Sequence, residues 1–280
     1  MTNRSRRDFL KLSAGAAAAS AIPFAGGALN AGGSGKKELP FELGMASYTL
    51  RAFTLDQALE MTARLGLKHI TLKDMHLPLA STESEIAAAL AKIRGSGLSL
   101  SSLGVVYMKT EDEVRRAFAY ARRAGVTMMV GVPEKGLLGL AERMVKESGI
   151  ALAIHNHGPS DERFPSPESA YRLISEMDPR VGLCIDVGHT QRMGLDPAGE
   201  AERFFDRLLD IHIKDVSAPD ATGTTVEIGR GVIDTVRLLS VLLRLKYRRT
   251  VHFEHEKDEK DPLPGVAESV GYVRGALAAI

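Results

Sequence analysis

The sequence has no tryptophan, a single cysteine and only 5% aromatic residues, and neither sign of charge dominates it. The shortage of aromatic rings argues against a surface that binds bases or sugars mainly by stacking. The lone Cys184 lies in an apolar run and cannot build a disulfide framework. Glycine and proline are too few for a fibrous or disordered chain. With 44% hydrophobic and 25% charged residues among 280, the composition is that of a globular protein.

The first 31 residues differ in character from the rest of the chain. Arg4, Arg6 and Arg7 are followed by an Ala-rich run that ends in small residues. The stretch SRRDFLK, residues 5–11, resembles a twin-arginine export signal. The resemblance implies the twin-arginine export machinery as a partner and a periplasmic or other extracytoplasmic location. The Ala-rich run has too little Leu and Ile for a stable membrane anchor.

The remainder of the chain has a nearly balanced charge. Residues 1–31 hold four basic residues and one acidic residue, which leaves 32 Lys+Arg against 34 Asp+Glu and a net charge of −2. This balance gives no electrostatic reason to expect a nucleic acid partner. We predict a signal peptide over residues 1–31, a linker over 32–40 and a single domain over 41–280.

From residue 41 onward, short apolar runs alternate with helical patterns, such as those over 55–66, 84–97 and 112–125. Eight apolar runs are predicted to be strands: 41–47, 68–73, 98–106, 126–132, 150–156, 181–187, 208–214 and 249–255. Strands that alternate with helices indicate a parallel sheet with right-handed crossovers. A doubly wound sheet would require a glycine-rich fingerprint after its first strand, and GMASYTLR, residues 44–51, has none. The sequence therefore predicts a (β/α)₈ TIM barrel, with the active site at the carboxyl ends of its strands.

Imidazole and carboxylate side chains occur at the predicted carboxyl ends of the last four strands. They are His155 and His157 on strand 5, Asp186 and His189 on strand 6, His212 on strand 7 and Glu254 on strand 8. Crowded together without a cation, such groups would repel one another or lose solvation at a cost of several kcal/mol. Mixed nitrogen and oxygen ligands suit Mn²⁺, Zn²⁺, Co²⁺ or Fe²⁺ better than Ca²⁺. The pattern predicts one divalent metal ion.

Each of these residues also has a structural interpretation. A histidine at a strand end often only satisfies a local hydrogen bond. Asp186 could cap the segment that follows it. Glu254 could belong to the charged run EHEKDEKD, residues 254–261. The metal interpretation depends on all four strand ends acting together.

The segments IHNHG, CIDVGHT, DIHIKD, EIGRGVID and VHFEHE resemble the sugar phosphate isomerase/epimerase superfamily of xylose isomerase-like barrels. The resemblance covers essentially the whole chain after the signal and implies one divalent ion held by strands 5–8. It implies Asp186, His212 and Glu254 as metal ligands. It also implies that His189 contacts substrate oxygens or the groups around the metal.

Strand 5 departs from the family pattern. The family's glutamate at this strand falls on His155, so the family's proton exchange between two glutamates does not carry over unchanged. Alternation along a strand puts His155 and His157 on the same side. We predict His155 as the fourth ligand, with His157 as the alternative.

Three cations are further candidates for substrate binding: Lys73 at the end of strand 2, Lys214 on strand 7 and Arg230 in the GRG loop before the last predicted strand. Lys73 could equally be a surface lysine, and Lys214 could pair with Asp215 or another carboxylate. The glycines of GRG suit a tight turn better than a phosphate cradle. Tyr48 is expected to pack, and His69 is expected to face the opposite end of the barrel.

The predicted function is a metal-dependent isomerase or epimerase that acts on a sugar or keto-sugar through an enediolate. Glu254, His157 and His189 are the candidates for acid–base catalysis. A lyase or hydratase that acts on oxidised glycosides, and a non-catalytic sugar-binding barrel, are the alternatives. A nuclease of the same barrel type is disfavoured, because it would need three metals and a basic groove. The oligomeric state stays open.

Overall fold

The computed structural model describes residues 39–280, and eight parallel strands in this part of the chain close into a barrel. The strands are β1 (Glu42–Ala46), β2 (His69–Leu72), β3 (Ser99–Met108), β4 (Met128–Pro133), β5 (Ala151–His155), β6 (Val181–Asp186), β7 (Leu208–Ile213) and β8 (Thr250–Phe253). Each strand pairs with its neighbours in sequence, and β8 pairs with β1. The predicted TIM barrel is confirmed. The predicted signal peptide and the linker up to residue 38 lie outside the described residues.

Helices surround this barrel. They are α1 (Leu55–Arg64), α2 (Glu83–Gly95), α3 (Glu111–Arg123), α4 (Leu138–Ser148), α5 (Pro167–Ile174), α6 (Val187–Arg192), α7 (Pro197–Arg203), α8 (Thr235–Arg244) and α9 (Leu263–Ala279). Reciprocal capping boxes start four of them, at Thr54, Thr82, Thr110 and Ser166. Gly149 ends α4 in the left-handed conformation, with φ of 75°. Within residues 39–280, none of the helices has the length and apolar character needed to cross a bilayer.

Alternation along the strands separates an apolar outer face from a polar interior. On β6, Leu183 and Ile185 belong to the hydrophobic core that packs under the helices. Cys184 and Asp186 alternate with them and face the inside of the barrel. The same alternation aims the polar residues of β7 and β8 inward, so the carboxyl ends of β5 to β8 form a buried polar mouth.

Every strand differs from its predicted bounds by one or two residues at an end, and two of these differences have a local reason. β3 runs on to Met108, because the pairing register with β4 shifts between Leu103 and Val106. β6 ends one residue earlier than predicted, at Asp186, because the Asp186 carboxylate caps α6 by accepting the backbone N–H of His189 at 2.7 Å.

Candidate metal centre and active site

Four of the predicted residues come together at the mouth of the barrel. One ligand atom from each of His155, Asp186, His212 and Glu254 lies within 4.8 Å of the others. His155, Asp186 and His212 are at most 2% exposed, and Glu254 is 6% exposed. Register pairing aligns Asp186 with His212 on neighbouring strands, which explains how residues 26 positions apart become neighbours. We refer to these four residues as the ligand cluster.

The backbone that carries Asp186 is fixed by polar side chains from strand ends and α6. Asn156 accepts the backbone N–H of Asp186 at 3.0 Å and donates to the Thr190 hydroxyl at 3.2 Å. Thr190 in turn donates to the Asp186 carbonyl at 2.6 Å. The Asp186 carboxylate is therefore held in one orientation, as a metal ligand requires.

A buried ion pair links strands 7 and 8. His212 donates from Nδ1 to Glu254 Oε2 at 2.9 Å. Burial by itself would raise the pKa of Glu254, but the Lys214 ammonium and His212 outweigh it and hold that pKa well below its usual range. Burial by itself would lower the pKa of His212. The adjacent Glu254 carboxylate outweighs this effect and raises the pKa of His212 above its usual value. The pair is thus set up with an ionised carboxylate.

Lys214 lies closer to the ligand cluster than the sequence predicted. Its Nζ is 2.9 Å from Asp186 Oδ2 and 3.0 Å from Glu254 Oε2, and it also contacts Glu256. Burial alone would lower the pKa of Lys214, but these three carboxylates hold it well above its usual range. The ammonium is buried and paired with carboxylates, which is one of the two interpretations that the sequence allowed, and its role in substrate binding stays a prediction. Asp215, the partner that the sequence suggested, does not pair with it.

The ligand cluster fits a divalent cation. The three carboxyl groups of Asp186, Glu254 and Glu256 surround the single Lys214 ammonium, so acidic groups outnumber this cation at the mouth. The Nε2 atom of His212 is buried and makes no hydrogen bond within residues 39–280. Two imidazoles and two carboxylates form the mixed donor set that Zn²⁺, Mn²⁺ and Co²⁺ accept.

The two histidines of strand 5 take different positions. His155 is in the ligand cluster, with Nε2 at 3.9 Å from Asp186 Oδ2 and Nδ1 at 3.3 Å from Cys184 Sγ. Burial holds the pKa of His155 well below its usual range, so the ring is neutral, as a ligand must be. His157 lies beside it, with ring centroids 4.6 Å apart. The structure therefore places His155, and not His157, among the four.

His157 lies between Tyr107, to which it is hydrogen-bonded, and Asp161, which is within ion-pair distance without hydrogen-bond geometry, and the sequence revealed neither neighbour. Its Nε2 is 3.0 Å from the Tyr107 hydroxyl, and its Nδ1 is 3.1 Å from Asp161 Oδ2. Burial, followed by the nearby His189, lowers the pKa of His157. Tyr107 lies beyond the predicted end of strand 3, and the register shift in β3 disrupts the alternation that could have pointed to it.

His189 lies near both histidines of strand 5, with its ring centroid 6.3 Å from that of His155 and 5.7 Å from that of His157. Burial, followed by the charge of Lys214, lowers the pKa of His189 to about 4. Its Nδ1 is 3.5 Å from Arg192 Nη1, whereas its Nε2 has no hydrogen-bonding partner among the described residues. A neutral imidazole with one free nitrogen is a competent proton acceptor.

Lys73 lies at the mouth between two tyrosine rings. Its Nζ is 4.5 Å from the ring centroid of Tyr48 and 5.4 Å from that of Tyr107. Two arginines approach the outer sides of the same rings, Arg51 at 4.8 Å from Tyr48 and Arg163 at 5.3 Å from Tyr107. We call these five residues the cation–aromatic wall. Tyr48 was expected only to pack, and its role in this wall is new.

Arg230 makes no contact with the ligand cluster, and its predicted role in substrate binding stays a prediction. Its exposed guanidinium makes two contacts with Glu268 of α9, at 2.5 and 2.7 Å. The loop around it is organised by Asp215, whose carboxylate accepts the backbone N–H groups of Gly229 and Gly231 at 2.9 and 3.1 Å. A Cβ on Gly231 would lie 2.2 Å from Asp215 Oδ1, so this glycine is needed for the turn.

His69 takes the position that the sequence predicted. It is the first residue of β2, and its Nε2 lies 3.6 Å from Glu42 at the start of β1. Both residues are at the amino ends of their strands, away from the ligand cluster. No role in the chemistry follows for His69.

Known protein families agree with this architecture. The model of the xylose isomerase-like TIM barrel matches residues 51–276. The chain belongs to this family. A model of the twin-arginine translocation signal sequence matches residues 5–23, which confirms the predicted signal and indicates export across a membrane by that pathway.

Individual members of the family have different activities. The rhizopine catabolism protein MocC of Rhizobium meliloti is 33% identical over 151 residues, 49% of this chain and 46% of that protein. The inosose dehydratase of Geobacillus kaustophilus (strain HTA426) is 28% identical over 152 residues, 49% of this chain and 47% of that protein. The chain thus spans about half the length of these relatives. The structure of an L-ribulose 3-epimerase has a TM-score of 0.69 at 14% identity, over 85% of this chain and 95% of that one, and shows the shared fold.

Proposed function

We propose that the protein is a metal-dependent isomerase or epimerase that acts on a sugar or keto-sugar through an enediolate intermediate. The ligand cluster carries this proposal, since four buried candidate ligand atoms lie within 4.8 Å of one another. A divalent ion bound there would polarise a substrate carbonyl and stabilise negative charge on the neighbouring oxygens. Membership in the xylose isomerase-like family supports the same chemistry.

The acid–base groups are the two imidazoles next to His155, those of His157 and His189, whose ring centroids are 5.7 Å apart. Removal of a proton from the carbon beside the carbonyl needs a neutral base near the ligand cluster. We assign this step to His189, whose Nε2 has no partner among residues 39–280 and whose pKa is lowered to about 4 by burial. Return of the proton is assigned to the Tyr107 hydroxyl and His157, which are 3.0 Å apart. With two separate groups, one can accept the proton and the other can return it, as isomerisation and epimerisation both require.

Glu254 was a third candidate base, and we now assign it to metal binding alone. Its Oε2 is already engaged by His212 at 2.9 Å and by Lys214 at 3.0 Å. A carboxylate oxygen that is already hydrogen-bonded to His212 and ion-paired with Lys214 is not free to accept a proton from the substrate. The proton transfer therefore falls to the imidazoles.

Elimination of water is the second candidate reaction. The similarity to inosose dehydratase over 152 residues favours it. Dehydration starts from the same enediolate, but a β-hydroxyl then leaves instead of a proton returning. Tyr107, with its hydroxyl bonded to His157, is suitably placed to protonate that leaving group.

The test combines metal analysis with proton exchange. The purified protein is assayed for bound metal, then incubated with a panel of sugars and keto-sugars in D₂O and followed by NMR. Deuterium incorporated at one carbon, with an epimer or isomer as product, supports the first proposal. A deoxy-keto product identifies the dehydratase instead. A metal-loaded protein that binds sugars without any exchange is a binding barrel, and both proposals then fail.

A further inference from the structure

Lys73 differs from the other cations of the cation–aromatic wall, because its charge is not neutralised. It follows Thr71 by two residues, on the inward-facing side of β2, and its side chain is half-buried. Arg51 lies 3.3 Å from Glu259, and Arg163 lies 3.3 Å from Glu134. Within residues 39–280, no carboxylate lies within ion-pair distance of the Lys73 Nζ, and no hydrogen-bond acceptor contacts it.

The two tyrosine rings hold this ammonium at the mouth. Contacts of 4.5 and 5.4 Å to the ring centroids are in the range of cation–π attraction, worth about 0.5–1 kcal/mol for an exposed pair. Ring contacts favour the position of the charge but offer no hydrogen-bond acceptor to its three N–H groups. The Lys73 ammonium is therefore fixed in place with its hydrogen-bonding capacity unused.

The ammonium is also connected to the ligand cluster by a short series of contacts. The Tyr107 ring lies 5.7 Å from the His157 ring, which lies 4.6 Å from the ring of His155. A substrate whose reacting carbons are at His155 would thus extend along His157 and Tyr107 toward Lys73. The far end of that substrate meets a positive charge.

We propose that Lys73 binds the carboxylate of an acidic sugar, a uronate or a keto-aldonate, whose reacting carbons lie at the ligand cluster. This inference rests on the proposed function and specifies its substrate class. A single ammonium matches the single charge of a carboxylate. A phosphate carries about −1.5 to −2 charges at pH 7 and is usually met by several donors. The neighbouring Arg51 and Arg163 cannot add to the charge, because their own carboxylates neutralise them.

Arg192 is another cation near the mouth that has no carboxylate partner among the described residues. Its guanidinium, however, already donates to the Ala221 carbonyl at 3.1 Å and lies 3.5 Å from His189 Nδ1. Arg192 is therefore the alternative carboxylate-binding residue that the test must distinguish from Lys73.

The experiment measures binding of matched acids and amides by calorimetry to the Mn²⁺-loaded full chain. The probes are D-glucuronate and D-galacturonate, each compared with its neutral amide and with the corresponding 6-sulfate and 6-phosphate sugars. A hydrogen bond to a charged group predicts that at least one acid binds about 10- to 100-fold more tightly than its amide. If every acid binds no better than its amide, or if a phosphate or sulfate binds best, the carboxylate assignment is wrong.

Substitutions of individual cations show which residue is responsible for the preference for the acid over its amide. Lys73→Met is expected to bring the affinity for the acid down to that for the amide, while leaving the affinity for the amide unchanged. Lys73→Arg is expected to keep most of the preference. Lys92→Met is the matched control, because Lys92 lies on α2 and pairs with Asp56 at 2.7 Å. Loss of the preference in Arg192→Met but not in Lys73→Met would overturn the inference.

The two proposals can fail separately. If the wild type binds no metal, the proposed function fails, but the preference for acid over amide can still be measured on the metal-free chain. If the metal binds and proton exchange occurs only with neutral sugars, the function stands and the role of Lys73 is refuted.

Discussion

Two clusters of acidic and imidazole side chains lie one above the other inside the barrel and use the same strands. The lower cluster contains Asp210 on β7 and His252 on β8. The upper cluster contains His212 and Glu254, two residues further along the same strands. The two clusters contain similar residues on the same inward face of the strands, but the surroundings of these residues differ.

In the lower cluster the imidazole is fully hydrogen-bonded, although Asp210 Oδ2 has no partner among residues 39–280. His252 Nδ1 is 2.8 Å from Asp210 Oδ1, and its Nε2 is 2.6 Å from the Ser101 hydroxyl, so both ring nitrogens are engaged. In the upper cluster, His212 Nε2 is buried without a partner among residues 39–280. Residue type alone therefore does not identify a metal ligand. A buried ring nitrogen that has no hydrogen-bond partner and lies next to carboxylates does.

The largest expected effect separates the two clusters by their metal content. Asp186→Ala, His212→Ala and Glu254→Ala should each reduce bound metal from about one equivalent to near zero, since each removes a ligand, and turnover should be lost with it. His252→Gln, the control from the lower cluster, should keep its metal. Elemental analysis of the four purified variants decides the matter. Retention of a full equivalent in all three ligand variants would refute the metal centre.

The second-largest expected effect distinguishes the roles of His155 and His157 on strand 5, metal binding and acid–base catalysis. His155→Gln should lose metal, whereas His157→Gln should keep it and lose about 10²- to 10⁴-fold in turnover, the usual span for one acid–base group. His155→Glu, which restores the family's residue, should keep metal. Metal content and turnover are measured side by side for the three variants. Loss of metal in His157→Gln alone would mean that the two roles are exchanged.

The ligand cluster was predictable, because each member ends a strand and strand ends converge in a barrel. Alternation also placed Lys214 on the inward side. The contacts of Lys214 depend on how closely β6 and β8 approach β7, and no local sequence pattern determines that approach. Tyr107 was missed because the register shift in β3 interrupts the alternation. The pairing of Arg230 could not be predicted, because Glu268, its partner, is 38 residues away on α9.

A smaller effect tests whether the lower cluster is structural. Asp210→Ala removes the acceptor of His252 Nδ1 and of the Ile211 backbone N–H, which lies 2.8 Å from Asp210 Oδ1. Leaving a buried donor without a partner costs about 1–3 kcal/mol, so the free energy of unfolding should fall by roughly that amount. Urea unfolding measures this change, with metal content expected to stay at the wild-type level. A variant of unchanged stability that loses its metal would instead make Asp210 a ligand.

The smallest expected effect is a change in metal affinity on substitution of Cys184, which lies between the two clusters. Register pairing sets Cys184 opposite His155, and its Sγ is 3.3 Å from His155 Nδ1. Since His155 Nε2 faces Asp186, a metal bond through Nε2 requires that Nδ1 carry the proton, and the sulfur is the acceptor available for it.

Replacing the sulfur should therefore change metal affinity without removing a ligand. Cys184→Ala leaves the Nδ1 proton of His155 buried without an acceptor, so metal affinity should fall about tenfold, at the low end of what partners of metal ligands contribute. Cys184→Ser keeps an acceptor and should lose less. Competition with a chelator of known affinity measures both variants, and urea unfolding controls for general damage. If both bind metal as tightly as the wild type, the orientation of His155 is set by packing against His157 and His212, and the sulfur has no part in it.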